Sequence, residues 1–217
     1  MPGLTISLVP LGEPAGHQHE GEREGRRPER EPTGRKPGGE PTGRSPGGEV
    51  DPVLVSWLRE DLPGIFAAGL ELYPALPLRR EHFVKERKQY LADSLLGEFS
   101  SAVGGQGTVI LGVTGADLFS PGLNFVFGIA NRGRALISTF RLRPEFYGRG
   151  QAESIFRRRV LVEAVHEIGH ALGLSHCEYP GCVMYFSNRI EDTDRKGPGF
   201  CFRCARALER LMAVGDR

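Results

Sequence analysis

The sequence contains no long apolar run. None of its stretches approaches the roughly 18 apolar residues that a membrane-spanning helix requires. The N-terminal apolar run ends at Val9 and has no basic segment before it, which argues against a signal peptide. We therefore expect a soluble cytoplasmic protein without a membrane partner.

An excess of one charge is also missing. With 28 basic and 27 acidic residues the formal net charge is only +1, so composition offers no overall electrostatic attraction to nucleic acid. The 217 residues suffice for one domain with a sizeable core. We expect a single domain spanning residues 1–217, in the form of a monomer, and no nucleic-acid partner.

Large apolar residues are absent from the stretch between Gly12 and about Glu49. Charged residues, prolines and glycines dominate it, so it cannot bury enough surface to offset the entropy lost on ordering. We predict a disordered insertion at about 12–49. It contains a tandem nonapeptide, EPTGRKPGG and then EPTGRSPGG, which is too short and too polar for a repeat architecture. Its two histidines, His17 and His19, are interpreted as solvated loop residues.

Cysteine is scarce, and all four cysteines lie in the last fifth of the chain, at Cys177, Cys182, Cys201 and Cys204. Intracellular proteins rarely keep disulfides, whereas paired cysteines commonly form a tetrahedral Cys₄ zinc site. We favour a structural zinc ion. Two disulfides, or four reduced cysteines in the core, are the alternatives.

Hydrophobic periodicity divides the remaining chain into helices and strands. Apolar residues at helical spacing predict helices, and short apolar runs rich in β-branched residues predict strands. The predicted strands are 4–9, 69–76, 108–113, 125–130 and 135–142, and the predicted helices are 52–62, 81–99, 153–172 and 205–213. Asp51 is the expected N-cap of the first helix, and Pro63-Gly64 its expected end.

The helix predicted at 153–172 carries the motif with the narrowest chemical meaning, H-E-x-x-H-x-x-G-x-x-H. His166 and His170 are four residues apart, so both imidazoles leave one helix face and can bind one metal ion. On a continuous helix His176 would lie about 9 Å further along the axis. We therefore predict that the helix ends at Gly173, which can adopt the left-handed conformation, and that His176 returns as the third ligand.

Three imidazoles leave the fourth position of a tetrahedral zinc ion for water, which is the arrangement of a catalytic site. Such a water has a pKa of about 7, and Glu167 can take its proton as general base and pass it to the leaving amine. The predicted reaction is hydrolysis of a peptide bond. The competing interpretation, ordinary histidines on a helix face, does not account for Gly173, for His176 or for a methionine downstream at Met184.

A family resemblance rests on these residues. The string HEIGHALGLSHC, then Cys182-Val183-Met184 and Cys201-Phe202-Arg203-Cys204, closely resembles the archaemetzincins, a branch of the metzincin metallopeptidases. FVFGIA and ISTFRLRPEFYG upstream also look like that family. The resemblance covers roughly residues 4–11 and 50–210, and the repeat stretch has no counterpart in it.

The resemblance implies an α+β, zincin-like fold and two zinc ions per chain. Its mixed, mostly parallel sheet lies above a cleft, and an antiparallel edge strand, 125–130 or 135–142, aligns an extended peptide. Met184 lies under the metal, while Tyr185 is given no metal role because Phe186 holds the position of the tyrosine ligand of some metzincins. The implied ligands are His166, His170 and His176 for catalytic zinc, and Cys177, Cys182, Cys201 and Cys204 for structural zinc.

The implied activity is that of a zinc metallopeptidase acting on peptides or small unfolded proteins, with aminopeptidase action as one form. A function of a different class is a non-catalytic zinc protein whose cysteines form an interaction module. Glu167 discriminates between the two, because a structural site requires neither a carboxylate beside its ligands nor an open fourth position.

Overall fold

The computed structural model describes residues 4–12, 48–103 and 108–215. Nearly all of the predicted disordered insertion, with its tandem repeat, His17 and His19, lies outside the described residues. The strands are β1 (Thr5–Leu11), β2 (Gly69–Leu72), β3 (Phe83–Val84), β4 (Gln89–Leu91), β5 (Thr108–Thr114), β6 (Leu118–Phe119), β7 (Gly128–Asn131) and β8 (Arg134–Ser138). The α-helices are α1 (Pro52–Phe66), α2 (Ala92–Ala102), α3 (Glu153–Ala171), α4 (Ile190–Arg195) and α5 (Phe202–Gly215).

A five-stranded sheet with the order β2-β1-β5-β8-β7 organises the fold. The first four strands run parallel to one another, and β7 pairs antiparallel with β8 at one edge. The predicted mixed, mostly parallel sheet is therefore confirmed, and of the two candidates for the antiparallel edge, the segment containing β7 occupies it.

Both faces of this sheet are covered, as is usual for parallel strands. Because successive side chains of a strand point to opposite faces, Leu111 packs in one core cluster with α1 and α3, while Ile110 packs in a second cluster with α2. Leu136 and Ile137 of β8 divide between the same two clusters. Because both faces are buried, the strand sequences are continuously apolar. Helix α3 packs directly against β7 and β8.

The helix predicted at 81–99 is wrong in its first half. Phe83 and Tyr90 instead face each other across the antiparallel pair β3–β4, with ring centroids 5.0 Å apart. Lys88 makes the turn with φ +55°, and β4 then pairs with β6, so that α2 begins only at Ala92. The apolar spacing that indicated a helix is satisfied here by cross-strand contacts, which override local propensity.

The predicted stop of α1 at Pro63-Gly64 is also wrong, although its N-cap is correct: the Asp51 carboxylate accepts the Val53 N–H. The helix continues through Pro63 to Phe66, and Ala67 ends it in the left-handed conformation. Phe66 is buried and packs edge-to-face on Phe200. Burial of this ring offsets the backbone hydrogen bond that Pro63 cannot donate.

The other predicted elements are present, with shifted ends. Strand β8 ends at Ser138, four residues early, because the Ser138 hydroxyl accepts the Phe140 N–H and starts a 3₁₀ turn at Phe140–Leu142. Among the described residues no helix combines the length and the apolar character needed to cross a membrane.

Candidate metal centre

Helix α3 ends where the sequence predicts. Gly173 has φ +100°, its N–H donates to the His170 carbonyl, and the Leu174 N–H donates to the Gly169 carbonyl, both at 2.9 Å. This pair of hydrogen bonds is the Schellman motif. Its left-handed residue is usually glycine, because a residue without Cβ adopts that conformation without a steric penalty. The chain then turns back toward its own helix, which brings His176 beside the two helical histidines.

The three imidazoles of His166, His170 and His176 converge. One ring nitrogen from each lies within 4.8 Å of the others, and the Nε2 atoms of His166 and His170 are 3.2 Å apart. Nδ1 of His166 lies 2.7 Å from the Val183 carbonyl oxygen, and Nδ1 of His170 lies 2.8 Å from that of Leu174. A carbonyl can only accept, so each Nδ1 carries the proton and each Nε2 keeps its lone pair, which is the tautomer that a metal requires.

The electrostatic environment keeps the imidazoles neutral. Burial is the main cause that lowers the pKa of His166 to about 2, and the Lys196 ammonium and the neighbouring His170 ring lower it further. Burial is also the main cause that lowers the pKa of His170 and of His176. Three neutral imidazoles with converging lone pairs are suited to zinc, which binds histidine nitrogen at about 2.0–2.1 Å.

Glu167 lies on the same helix, next to His166, and only 5% of its surface is exposed. Burial raises its pKa well above the ordinary value, as does the neighbouring Glu163 carboxylate, and the Lys196 ammonium partly offsets both effects. A carboxylate removed from water in this way is a stronger base than one on the surface.

A cleft of about 640 Å³ opens in front of these groups. One wall is formed by β7 and the segment before it, and the other by α3, His176 and the residues after Met184. The lining residues are Ser120, Leu123, Asn124, Phe125, Val126, Phe127, Gly128, Ile129, Ala130, Glu163, His166, Glu167, His170, His176, Phe186, Ser187 and Asn188. Apart from the histidines and the two carboxyl groups, the lining combines apolar side chains with four polar ones, Ser120, Asn124, Ser187 and Asn188.

Met184 is fully buried and lies against Gly169 of α3. A Cβ placed on Gly169 would come within 2.5 Å of the Met184 Sδ atom, so a larger residue at 169 would displace the end of this methionine side chain. The Met184 carbonyl also accepts the Cys177 N–H at 2.9 Å. Sequence reasoning assigned no role to Gly169, which occupies one of the unspecified positions of the histidine motif.

Gly128 is a second glycine that sequence reasoning missed. A Cβ at this position would lie 2.6 Å from Cγ of Glu167 and 2.8 Å from the Leu136 carbonyl oxygen. Strand β7 can therefore approach the Glu167 side chain closely only with glycine there. The available signal was the glycine inside FVFGIA, since glycine within a strand often marks a close approach.

We expect Gly128→Ala to reduce kcat on the order of 10²-fold while leaving zinc content unchanged. The added methyl group must displace either Glu167 or the edge strand, and a displacement of about 1 Å in an active site has an effect of that size. Steady-state kinetics with metal analysis measures both quantities. Gly64→Ala is the matched control, because no atom lies within 4 Å of its added Cβ; equal activity of the two variants would contradict the role of Gly128.

The four cysteines also come together. One Sγ from each lies within 4.8 Å of the others, all four are free thiols, and the Cys201 N–H lies 3.3 Å from Sγ of Cys182. The backbone N–H of Cys204 is the main cause that lowers the pKa of Cys201 to about 7. A low thiol pKa favours the thiolate form, which is the form that binds metal; burial raises the pKa of Cys182 and of Cys204, so this preference holds for Cys201 and not for those two. This quartet joins the segment after His176 to the start of α5.

A third group of possible ligands, Glu81, His82 and Glu98, lies away from the cleft. His82 was expected on the surface and is half-buried, with Nε2 2.6 Å from Oε2 of Glu98. Arg79 contacts the other oxygen of the same carboxylate. The charge of Glu98 is therefore already balanced within the protein.

Comparison with known proteins places this geometry in a family. The family model for peptidase family M54 matches residues 68–210. The archaemetzincin of Pyrococcus furiosus is 41% identical over 175 residues, 77% of this chain and 91% of that protein. The archaemetzincin of Archaeoglobus fulgidus is 43% identical over 157 residues, 71% of this chain and 90% of that protein.

Solved structures agree. An archaemetzincin from Archaeoglobus fulgidus, complexed with malonate, superposes with a TM-score of 0.67 at 34% identity and covers 94% of this chain and 99% of that one. An archaemetzincin from Methanopyrus kandleri gives a TM-score of 0.72 at 28% identity, over 98% and 97%. A zinc-dependent peptidase from Methanocorpusculum labreanum gives 0.66 at 32% identity, over 72% and 93%. The chain therefore belongs to peptidase family M54, the archaemetzincins, and is a zinc metallopeptidase.

Proposed function

We propose that this chain hydrolyses peptide bonds at the histidine triad, with His166, His170 and His176 as the ligands of catalytic zinc and Glu167 as the general base. The observation that carries this proposal is the convergence of three metal-competent ring nitrogens within 4.8 Å beside a buried carboxylate. The cysteine quartet is proposed to hold a second, structural zinc ion.

The chain's own residues supply proton transfer and orientation. A zinc ion at the triad supplies Lewis-acid polarisation of the scissile carbonyl and lowers the pKa of a water molecule from 15.7 to about 7. Glu167 takes a proton from the attacking water and returns it to the leaving amine, so the same carboxylate serves as base and then as acid. Its burial maintains the raised pKa that both transfers need.

Strand β7 is proposed to align the substrate. It is the edge strand of the sheet, paired on one side with β8, and it lines the cleft. An extended peptide can add to such an edge through main-chain hydrogen bonds, which are independent of side-chain identity. The scissile bond is then presented across the cleft to the histidine triad, two members of which lie on α3.

Within this activity we infer that the chain removes N-terminal residues, an inference supported by the family resemblance of the motifs at 125–130 and 166–177. Matched fluorogenic peptides with free and with acetylated N-termini test it directly. We expect turnover of the free form to exceed that of the acetylated form at least tenfold. Equal cleavage of the two would replace this inference with endopeptidase action.

We expect two zinc ions per purified chain, of which a mild chelator removes one together with peptidase activity. The exposed His176 makes the triad accessible, whereas Cys182 and Cys204 are buried. Elemental analysis before and after dialysis against the chelator, combined with a quenched-peptide assay, provides the measurement. A chain that keeps full activity after losing the labile zinc would contradict the proposed site.

The non-catalytic alternative is not supported, because the chain belongs to a peptidase family and because a buried carboxylate beside the ligands serves no purpose in a purely structural site. The monomeric state, the cytoplasmic location and the single-domain organisation stay predictions from the sequence.

A further inference from the structure

Lys196 is a buried lysine to which neither the motif analysis nor the proposed reaction assigns a role. It follows the last residue of α4 and has 0% of its surface exposed. Lysine is almost never fully buried unless it is paired, and burial lowers its pKa. A position of this kind requires a compensating set of contacts.

The ammonium nitrogen of Lys196 lies near three groups that surround His166 or belong to it. Nζ donates to the Tyr185 carbonyl at 2.9 Å and lies 3.3 Å from Nδ1 of His166. It is also 3.9 Å from Oε1 of Glu163, which accepts the Thr193 hydroxyl at 2.9 Å. Three segments therefore meet at one nitrogen: the end of α4, the buried face of α3 and the turn that follows Met184.

Nζ of Lys196 lies on the Nδ1 side of the His166 ring. The Nε2 atom, which carries the lone pair for the metal, lies on the opposite side and faces His170. Nδ1 of that ring donates to the Val183 carbonyl at 2.7 Å, and Lys196 holds the carbonyl of Tyr185, two residues further along. The orientation of His166 thus depends on the backbone of 183–185, and Lys196 ties that backbone to α4. Without the lysine side chain, the position beside Nδ1 of His166 is empty, and the turn at 183–185 loses the hydrogen bond from Nζ to the Tyr185 carbonyl.

Docking of α4 onto α3 does not by itself require Lys196. Arg159, also with 0% exposure, makes two 2.7 Å bonds to the Asp194 carboxylate and donates to the Leu142 carbonyl. This pair joins the same two helices without any of these bonds reaching His166. Arg159 therefore offers a matched comparison, a buried cation with a purely structural position.

We propose that Lys196 is a positioning residue that holds His166 and the turn at 183–185 in the geometry needed for metal binding. The proposal rests on the proposed function, since it concerns the same histidine. Groups that orient a metal ligand from behind typically contribute 10–100-fold to metal affinity or activity.

The test is Lys196→Met, a substitution of similar length without the charge. We expect a 10–100-fold loss of zinc affinity at the chelator-labile site, measured by competition, and a changed absorption spectrum when Co²⁺ occupies that site. We also expect a fall in kcat with little change in KM, because the substrate-binding edge is untouched. Unchanged zinc affinity and an unchanged Co²⁺ spectrum would overturn the proposal.

Two further variants separate positioning from folding. Arg159→Met should lower the melting temperature but leave zinc affinity and the Co²⁺ spectrum as in the wild type; an equal loss in both would show that Lys196 only stabilises α4. The double variant Lys196→Met with Glu163→Gln also removes the carboxylate charge that lies 3.9 Å from Nζ of Lys196 and should remain defective. Its recovery would overturn the proposal by showing that Lys196 merely neutralises Glu163.

Failure of this inference is distinguishable from failure of the proposed function. Wild-type protein that holds no zinc at the triad would refute the proposed function. Wild-type protein that holds zinc there, together with an indistinguishable Lys196→Met variant, would refute the role of Lys196 alone.

Discussion

Replacing Glu167 with glutamine is expected to reduce kcat by roughly 10²–10⁴-fold, the usual contribution of a general base, while both zinc ions are retained. The amide has nearly the shape of the carboxylate, so the contact with Gly128 is kept. It cannot accept a proton from water at neutral pH, however, and the transfer to the leaving amine is lost with it. Single-turnover kinetics on a quenched peptide, with metal analysis of the same sample, measures the effect.

The matched control is Glu153→Gln, at the first residue of the same helix and exposed. It removes one negative charge from α3 without touching the cleft, so its kcat should stay within about twofold of the wild type. Turnover by Glu167→Gln above a few per cent of the wild-type rate would show that Glu167 is not the general base. The reaction would then need another carboxyl group in the cleft, for which Glu163 is the neighbour on the same helix face.

The second prediction with a large expected effect concerns the four clustered cysteines, Cys177, Cys182, Cys201 and Cys204. Cys182→Ala should abolish binding of the second zinc ion and destabilise the region from His176 to α5. A structural zinc contributes on the order of 10 kcal/mol to folding in small domains, and the segment between α3 and α4 has little regular structure of its own. We expect loss of this zinc, a lowered melting temperature and loss of activity, since His176 directly precedes Cys177.

The control is Val183→Ala, at the adjacent position, which is equally buried. It deletes two methyl groups from the same core and is expected to cost about 2 kcal/mol without changing zinc content. If Cys182 were an ordinary core residue, Cys182→Ala would cost no more than this control and would keep all bound zinc. Thermal unfolding with elemental analysis separates the two cases.

The proximity of the histidines could be predicted because it is decided almost entirely within eleven residues. His166 and His170 share a helix face by helical geometry alone, and the return of His176 needs only the left-handed Gly173. The cysteine cluster was expected from residue type and spacing, although Cys177 and Cys204 are far apart in the chain. The short apolar runs likewise predicted buried strands, because both faces of the sheet are covered, whereas the mostly parallel arrangement was implied by the family resemblance.

The errors arose where the partner of a segment is distant in sequence. At 81–99 the apolar spacing was compatible with a helix, and pairing of β4 with β6 favoured strands instead. Pro63 locally indicates a helix end, but burial of Phe66 beside Phe200 extends α1 by one turn. The pairing of Tyr90 with Leu118 and the contact of Phe66 with Phe200 each join residues more than 25 positions apart, and each favours a structure that the local sequence does not indicate.

The sequence by itself determined the donor atoms, their order along the chain and the helix stop that brings the third histidine back. Only the tertiary structure decided that β7 contacts Glu167 through Gly128, that Met184 packs against Gly169, and that Lys196 lies beside Nδ1 of His166. The physical reason is range: a helix face and a left-handed turn are set by neighbouring residues, whereas these three contacts exist only after the sheet, the central helix and the C-terminal segment have packed together.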